Sequence, residues 1–384
     1  MRKILWMFLL ISCSKDEITP SPPVIQKDYS LPSYELQKTD VTIDIYRLLV
    51  NNGHKDNGMA TFAITYLDVN ADGHDDIFVH PISLEDKRTN AELYVYKNGT
   101  YVLDNSYFNT IPSFIHGRKA ITGDFNGDKR PDIFIAAHGF DQPPFPGEYT
   151  QLLLSNPNGK YDLKEFKDKV AFYHSATSGD IDNDGDLDIF VLFNRFSYFL
   201  INDGKGNFTY STTQIDIMDL FGEYTCELID INKDGYMDLL VGGHEFDQGT
   251  TRVYWGNSTY KYTEKTILPM VNGYGTVVDI DMADLDGDGT YELAINRAGG
   301  HGNYQNFYEG WYIQIVKMNN KQFTDVTNEY IDNNSFRNGP FNWLIWVRFQ
   351  DYDKNGKLDL FSTICGEHKF VRWELQNKKL IRIN

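Results

Sequence analysis

The chain has 384 residues, 54 Asp and Glu against 36 Lys and Arg, a net charge of −18 and 15% aromatic residues. That balance excludes a nucleic-acid partner, which needs basic patches, and favours bound cations. Three cysteines exclude a disulfide-stapled scaffold, and the many Tyr, Phe and Gly residues point to strands and turns.

At the start of the chain, Arg2 and Lys3 precede an apolar run from Ile4 to Ile11 that is too short to span a bilayer and fits a secretory segment over residues 1–12. The run ends in Leu10-Ile11-Ser12-Cys13, which resembles the bacterial lipobox and implies a lipid on Cys13. An ordinary signal peptide with an incidental cysteine is the alternative. Ser14-Lys15-Asp16-Glu17 is similar to the surface-export signal of Bacteroidetes lipoproteins, which implies an outer-membrane, surface-exposed location. Residues 13–33 carry Pro20, Pro22, Pro23 and Pro32 among polar residues and read as an extended tether. Residues 34–57 form a lead-in. Within it, Val41 to Tyr46 alternates like a strand that closes a ring, and a helix over 40–50 is the alternative.

From residue 58 onward one nine-residue pattern recurs six times. Its side-chain positions 1, 3, 5 and 9 are Asp68, Asn70, Asp72 and Asp76 in the first copy and Asp124, Asn126, Asp128 and Asp132 in the second. They are Asp180, Asp182, Asp184 and Asp188 in the third, and Asp230, Asn232, Asp234 and Asp238 in the fourth. The fifth has Asp284, Asp286, Asp288 and Glu292, and the sixth Asp351, Asp353, Asn355 and Asp359. Position 7, which would offer its carbonyl, is His74, Arg130, Asp186, Tyr236, Thr290 and Lys357 in turn. Ca²⁺ takes six to eight oxygen ligands, and a tight loop can aim these groups at one point, with Gly at position 6 allowing the turn. Mg²⁺ would use fewer carboxylates, and the ligand type excludes a thiolate-loving metal. An EF-hand needs Glu at position 12, where this chain has Val79, Ile135, Val191, Val241, Ile295 and Ser362. One such loop alone would read as a solvated turn; six in register do not. By ligand type the first, third and fourth loops rank best and the fifth next. The second, with Lys129 and Pro131, and the sixth, with Asn355, rank last.

Each loop is followed by a short apolar run, such as Ile77-Phe78-Val79 or Ile133-Phe134-Ile135, that reads as a buried strand. Asn98-Gly99 and Asp203-Gly204 mark hairpins further along the first and third units. Four strands in about 55 residues make one propeller blade. The units resemble FG-GAP/VCBS-type repeats, the cation-loop blades also found in integrin α-subunits, over residues 58–384. The Phe-Gly and Gly-Ala-Pro pieces behind that name do not occur here as a spaced pair. The resemblance implies an all-β propeller with Ca²⁺ in the loops between the first and second strands of its blades. Six blades are expected, seven being the alternative, and Cys226 and Cys365 are expected as buried thiols in blades that do not touch.

The end of the propeller opposite the cation loops then gathers an aromatic, imidazole and acid-rich set. His138 and Asp141 follow the second unit's buried strand, His244 and Asp247 follow the fourth's, and Asn194 sits at the same offset in the third. His301 comes later in the fifth, while His116, His174, Tyr224, Tyr274 and Trp343 lie on the incoming connections. Such a face suits a sugar first and a peptide second. Loops inherited through blade duplication are the plainer explanation of each residue singly. No Gly-x-Ser-x-Gly elbow, phosphate loop or helical zinc pair occurs, so a binding module is favoured over an enzyme. A lyase-like polysaccharide-cleaving enzyme and an envelope assembly platform are the other readings.

Overall fold

The computed structural model describes residues 27–383 apart from 56–58, 84, 194–195, 217–219, 221, 248, 300–307, 341 and 366–368. Cys13, Asn194 and His301 lie outside the described residues, as does the side chain of Asp247. Six antiparallel sheets follow one another along the chain, each built from four strands in sequence order. Blade 1 consists of Ile64–Leu67, Asp76–Val79, Glu92–Lys97 and Thr100–Leu103, and blade 2 of Gly117–Gly123, Asp132–Ala137, Glu148–Ser155 and Tyr161–Ala171. Blade 3 consists of Ser175–Gly179, Asp188–Leu192, Tyr198–Ile201 and Thr209–Ser211, and blade 4 of Glu223–Ile229, Asp238–Gly243, Arg252–Trp255 and Glu264–Ile267. Blade 5 consists of Thr276–Ala283, Glu292–Gly299, Glu309–Asn319 and Gln322–Asp325, with Ser335–Pro340 added beside its third strand. Blade 6 consists of Arg348–Gln350, Asp359–Ile364, Lys369–Gln376 and Lys379–Ile383. The protein is an all-β, six-bladed propeller.

The first strands of successive blades pack on one another around a central channel. The second strands are buried on both faces, which explains their unbroken apolar runs. Ile133 and Ile135 enter the core shared with blade 1, whereas Phe134 and Ala136 enter the core shared with blade 3. Ile189 and Val191 face back to blade 2 while Phe190 and Leu192 face blade 4. The period-two alternation of a strand thus joins each blade to both neighbours.

The seam between blades 6 and 1 is different. Phe78 of blade 1 packs towards blade 2, but Ile77, Val79 and Tyr94 on the other face pack on Val41, Leu48 and Leu49 of the lead-in. Of the two alternatives for that segment, the helix forms: α2 spans Ile45–Asn51, and the Asp44 side chain caps it by accepting from the Arg47 N–H at 3.2 Å. All four strands of blade 6 come from the C-terminal end of the chain, so among the described residues no strand of the lead-in completes the ring.

Upstream, the chain runs through the channel. A short helix, α1 (Ser33–Leu36), lies against the first strands of blades 2, 3 and 4. Ser33 Oγ accepts from the Ser178 N–H at 2.9 Å, and the Tyr34 hydroxyl donates to the Met282 carbonyl at 2.9 Å. At the acidic-loop end, the Tyr29 hydroxyl accepts from the Asp68 N–H, its carbonyl accepts from the Asp124 N–H, and Lys27 pairs with Asp75 at 2.7 Å. Cys226 is buried and Cys365 half-buried, and the two are not joined by a disulfide. Among the described residues no helix is long and apolar enough to cross a membrane.

Candidate functional site

All six acidic loops join the first and second strands of their blades, at one end of the channel. Their carboxylates do structural work on the backbone. In every loop the position 1 carboxylate accepts the N–H groups of positions 5 and 6, as Asp180 does from Asp184 and Gly185 at 3.1 and 3.0 Å. The position 9 carboxylate accepts the N–H of position 2, as Asp188 does from Ile181 at 3.1 Å. In the first four blades it also accepts an N–H from the third strand or just beyond it, as Asp188 does from Asn202 at 2.8 Å. Position 6 has positive φ in all six loops, glycine supplying it in five and Lys129, at φ 67°, in the second. Position 4 has positive φ as well, a requirement the residue types there (Ala71, Gly127, Asn183, Lys233, Gly287, Lys354) do not announce.

The loops differ in what remains for an ion. In the third, one carboxylate oxygen each from Asp180, Asp182 and Asp188 lies within 4.8 Å of the others. Oδ1 of Asp182 and of Asp186 are buried and have no hydrogen-bond partner among the described residues. Burial and the neighbouring acids push Asp186 up to about 6, and burial pushes Asp188 up to about 8. Crowded, desolvated carboxylates with orphaned oxygens fit a divalent cation. Asp284, Asp286 and Glu292 converge similarly in the fifth loop, but Lys317 from the third strand sends its Nζ among them. It lies 2.7 Å from Asp286, 2.8 Å from Asp288 and 2.7 Å from Glu292. Hydrogen bonds from Lys317 and Tyr330 pull Asp286 down to about 2. An ammonium ion already stands where a metal would, which a ranking by ligand type does not register. In the sixth loop, Arg372 pairs with Asp353 at 2.8 Å and the Asn355 amide donates to Glu374 at 2.8 Å.

At the opposite end of the channel, seven rings drawn from all six blades close a circuit. Phe62 and His116 have centroids 5.4 Å apart, His116 and His138 3.8 Å, and His138 and His174 5.9 Å. His174 stacks on Tyr224 at 5.0 Å, Tyr224 meets Tyr308 at 6.1 Å, Tyr308 meets Trp343 at 4.7 Å, and Trp343 returns to Phe62 at 6.2 Å. Arg118 stands inside, its guanidinium carbon 4.1 Å from the Phe62 ring and 4.7 Å from the Tyr224 ring. Burial, with Arg118 nearby, holds the His116 and His138 imidazoles well below their usual range, so both are neutral. A cavity of about 120 Å³ runs from this circuit down the channel and into the seam beside α2, with Arg118, Tyr224 and Arg348 among its walls. Deeper in the channel, Lys119 pairs with Glu227 at 3.2 Å and Arg348 with Asp279 at 2.7 Å.

The circuit gathers five of the residues expected on this face: His116, His138, His174, Tyr224 and Trp343. His244 stacks behind Tyr224 at 5.5 Å, and Asp141 offers an oxygen within 4.8 Å of ring nitrogens of His116 and His138. Tyr274 is not part of it; its ring packs on Tyr312 at 5.3 Å, further out in blade 5. Phe62, Arg118 and Tyr308 are functional candidates that sequence reasoning missed. The visible signal for Arg118 is a charge inside a strand buried at the channel.

The FG-GAP-like repeat family matches residues 68–135, 180–241 and 230–295, each match running from position 1 of one loop to position 12 of the next. Over those stretches the chain is similar to FG-GAP-like repeats. No curated protein matches it in sequence. Among solved structures it is similar to an Agrocybe aegerita lectin described as specifically recognising non-reducing terminal N-acetylglucosamine, at 13% identity and a TM-score of 0.48 over 85% of this chain and 80% of that one. It is also similar to the Dos1 propeller, at 10% identity and a TM-score of 0.44 over 81% of this chain and 67% of that one. At this distance neither neighbour bears on what this chain binds.

Proposed function

We propose that this protein is a Ca²⁺-binding propeller held at the cell surface through a lipid on Cys13, and that the channel end opposite its cation loops binds a ligand, carbohydrate first and protein second. The observation that carries the reading is the ring circuit. All six blades contribute to one aromatic girdle around a single cation, beside a cavity, on a rigid scaffold. Aromatic faces bind the C–H faces of sugars, and imidazole nitrogens supply directed hydrogen bonds. Ca²⁺ belongs first to the third loop, whose orphaned oxygens support it, and not to the fifth while Lys317 is in place. Six loops in register along a strongly acidic chain are what a cation would neutralise.

The test is a glycan array probed with the secreted form of the protein in Ca²⁺. Specific glycan signals that weaken in Trp343→Phe, which keeps most of the buried apolar ring, are expected. An array without signal, together with an envelope protein that co-purifies through the same residue, would replace carbohydrate by protein. Polysaccharide cleavage remains as the second reading because His116, His138 and Asp141 bring an acid and two neutral imidazoles together. Depolymerisation that stops on His138→Ala would favour it.

A further inference from the structure

Three arginines are buried among the described residues, and two of them have a carboxylate: Arg252 pairs with Glu223, and Arg297 with Glu245 at 2.7 Å. Arg118 does not. It is 9% exposed, yet among the described residues it makes neither an ion pair nor a hydrogen bond. Asp141 acts on it only through space, and its close contacts are the Phe62 and Tyr224 rings. Burying a guanidinium without a counter-ion is costly, and cation–π contacts offset only part of that. Two more polar atoms of the same circuit wait beside it. The Nε2 of His116 and the Nδ1 of His174 are buried without a hydrogen-bond partner among the described residues, and His116 is 8% exposed.

Arg118 and His174 line the cavity, and His116 stands in the same circuit between Phe62 and His138; unpartnered polar groups set in one aromatic girdle beside a cavity describe a ligand's outline. The five N–H groups of a guanidinium fork match the two oxygens of a carboxylate, and with rings over its faces the N–H edge is what Arg118 has left to offer. The chain as a whole is acidic, so an anion gains nothing from its overall field and has to be held locally. Resting on the carbohydrate reading above, we propose that Arg118 anchors the carboxylate of a uronic acid residue in an acidic polysaccharide, with His116 and His174 bonding the same sugar.

The test is calorimetric titration of the secreted form of the protein with uronate oligosaccharides and with their carboxyl-methylated, neutral counterparts. Wild type should bind the uronates about tenfold or more tightly than the methyl esters. Arg118→Met, which fills the same space without the charge, should abolish that preference while its melting temperature stays the same or rises. Arg118→Lys, lacking the fork, should keep only part of it. Equal binding of acidic and neutral sugars, unaltered in Arg118→Met, would overturn the anchor and leave the carbohydrate reading standing. Equal affinity for sulfated and carboxylated sugars would overturn the carboxylate assignment. Arg118-dependent binding of an acidic peptide, with no sugar bound at all, would overturn both.

Discussion

Lys317 puts an ammonium group into a loop whose residue types ask for a metal. Its Nζ takes oxygens from Asp286, Asp288 and Glu292, the same oxygens a divalent ion would need. Strand pairing brings it there: Glu292 opens the second strand of blade 5 and lies directly opposite Lys317 on the third. Lys317→Met keeps the stem and removes the charge, so the loop should then take an ion. Titration with Ca²⁺, or with luminescent Tb³⁺, is expected to count one more bound ion in the variant than in wild type. An unchanged count would mean that the lysine gives way to metal in the native protein. The six loops themselves were legible from the sequence because every ligand position falls within nine residues. The lysine was not, because it belongs to the site only through sheet register. Arg118 escaped for a related reason. A charge on a channel strand is visible in the sequence, but that it lacks a partner is a fact of three dimensions.

The elements of this propeller are held by alternation, and the seam between blades 6 and 1 shows what happens when alternation lacks a partner blade. Ile77, Val79 and Tyr94 present an apolar face, and Val41, Leu48 and Leu49 cover it. Leu49 is fully buried although it belongs to no sheet. Leu49→Ala should therefore destabilise the protein by about 2–5 kcal/mol, as truncation of a leucine inside a core does. Denaturant unfolding measures this, with Leu240→Ala in the blade 4–5 core as the reference. A loss below about 1 kcal/mol would mean that the lead-in is only draped over the seam. The apolar spacing from Val41 to Tyr46 correctly marked a segment with a buried side, but period-two spacing over so few residues does not distinguish strand from helix. Asp44 decides it, since its carboxylate caps the first turn of α2 and so ends the extended run. The blades were legible because each second strand writes its two buried faces into one continuous apolar run. The circuit was legible only in part: Phe62 precedes its loop by the same six residues as His174 and Tyr224 and could have been found from them, whereas Tyr308 sits on a connection with no such offset.

Across the whole molecule the two ends of the channel differ in chemistry, acidic loops at one and the ring circuit at the other, and the described chain enters at the acidic-loop end, through Lys27 on Asp75 and Tyr29 on Asp68 and Asp124. A lipid on Cys13 would therefore hold that end towards the membrane, within roughly 50 Å at full extension, and turn the aromatic circuit outward. The same end shapes the protein's response to pH, against an opposite contribution from the buried, neutral His116, His138 and His174 at the other. Burial pushes the position 9 acids of the first four loops up, Asp76, Asp132 and Asp238 to about 7 and Asp188 to about 8. A carboxyl whose folded pKa lies above its unfolded value of about 4 binds more protons when folded, so stability falls as pH rises between those two values. Metal-free protein should thus melt at a higher temperature near pH 6 than near pH 8. Ca²⁺ bound in these loops would compete with those protons for the carboxylate oxygens, and a ligand bound only to the native state stabilises it. In excess Ca²⁺ the fall with pH should vanish or reverse, and the gap between Ca²⁺ and chelator should be widest near pH 8. Thermal melts in Ca²⁺ and in chelator at the two pH values measure all of this. A chelated protein that gains stability towards pH 8 would show that these acids are not desolvated in the metal-free fold. Identical curves with and without Ca²⁺ would show that its loops are held by their backbone hydrogen bonds alone.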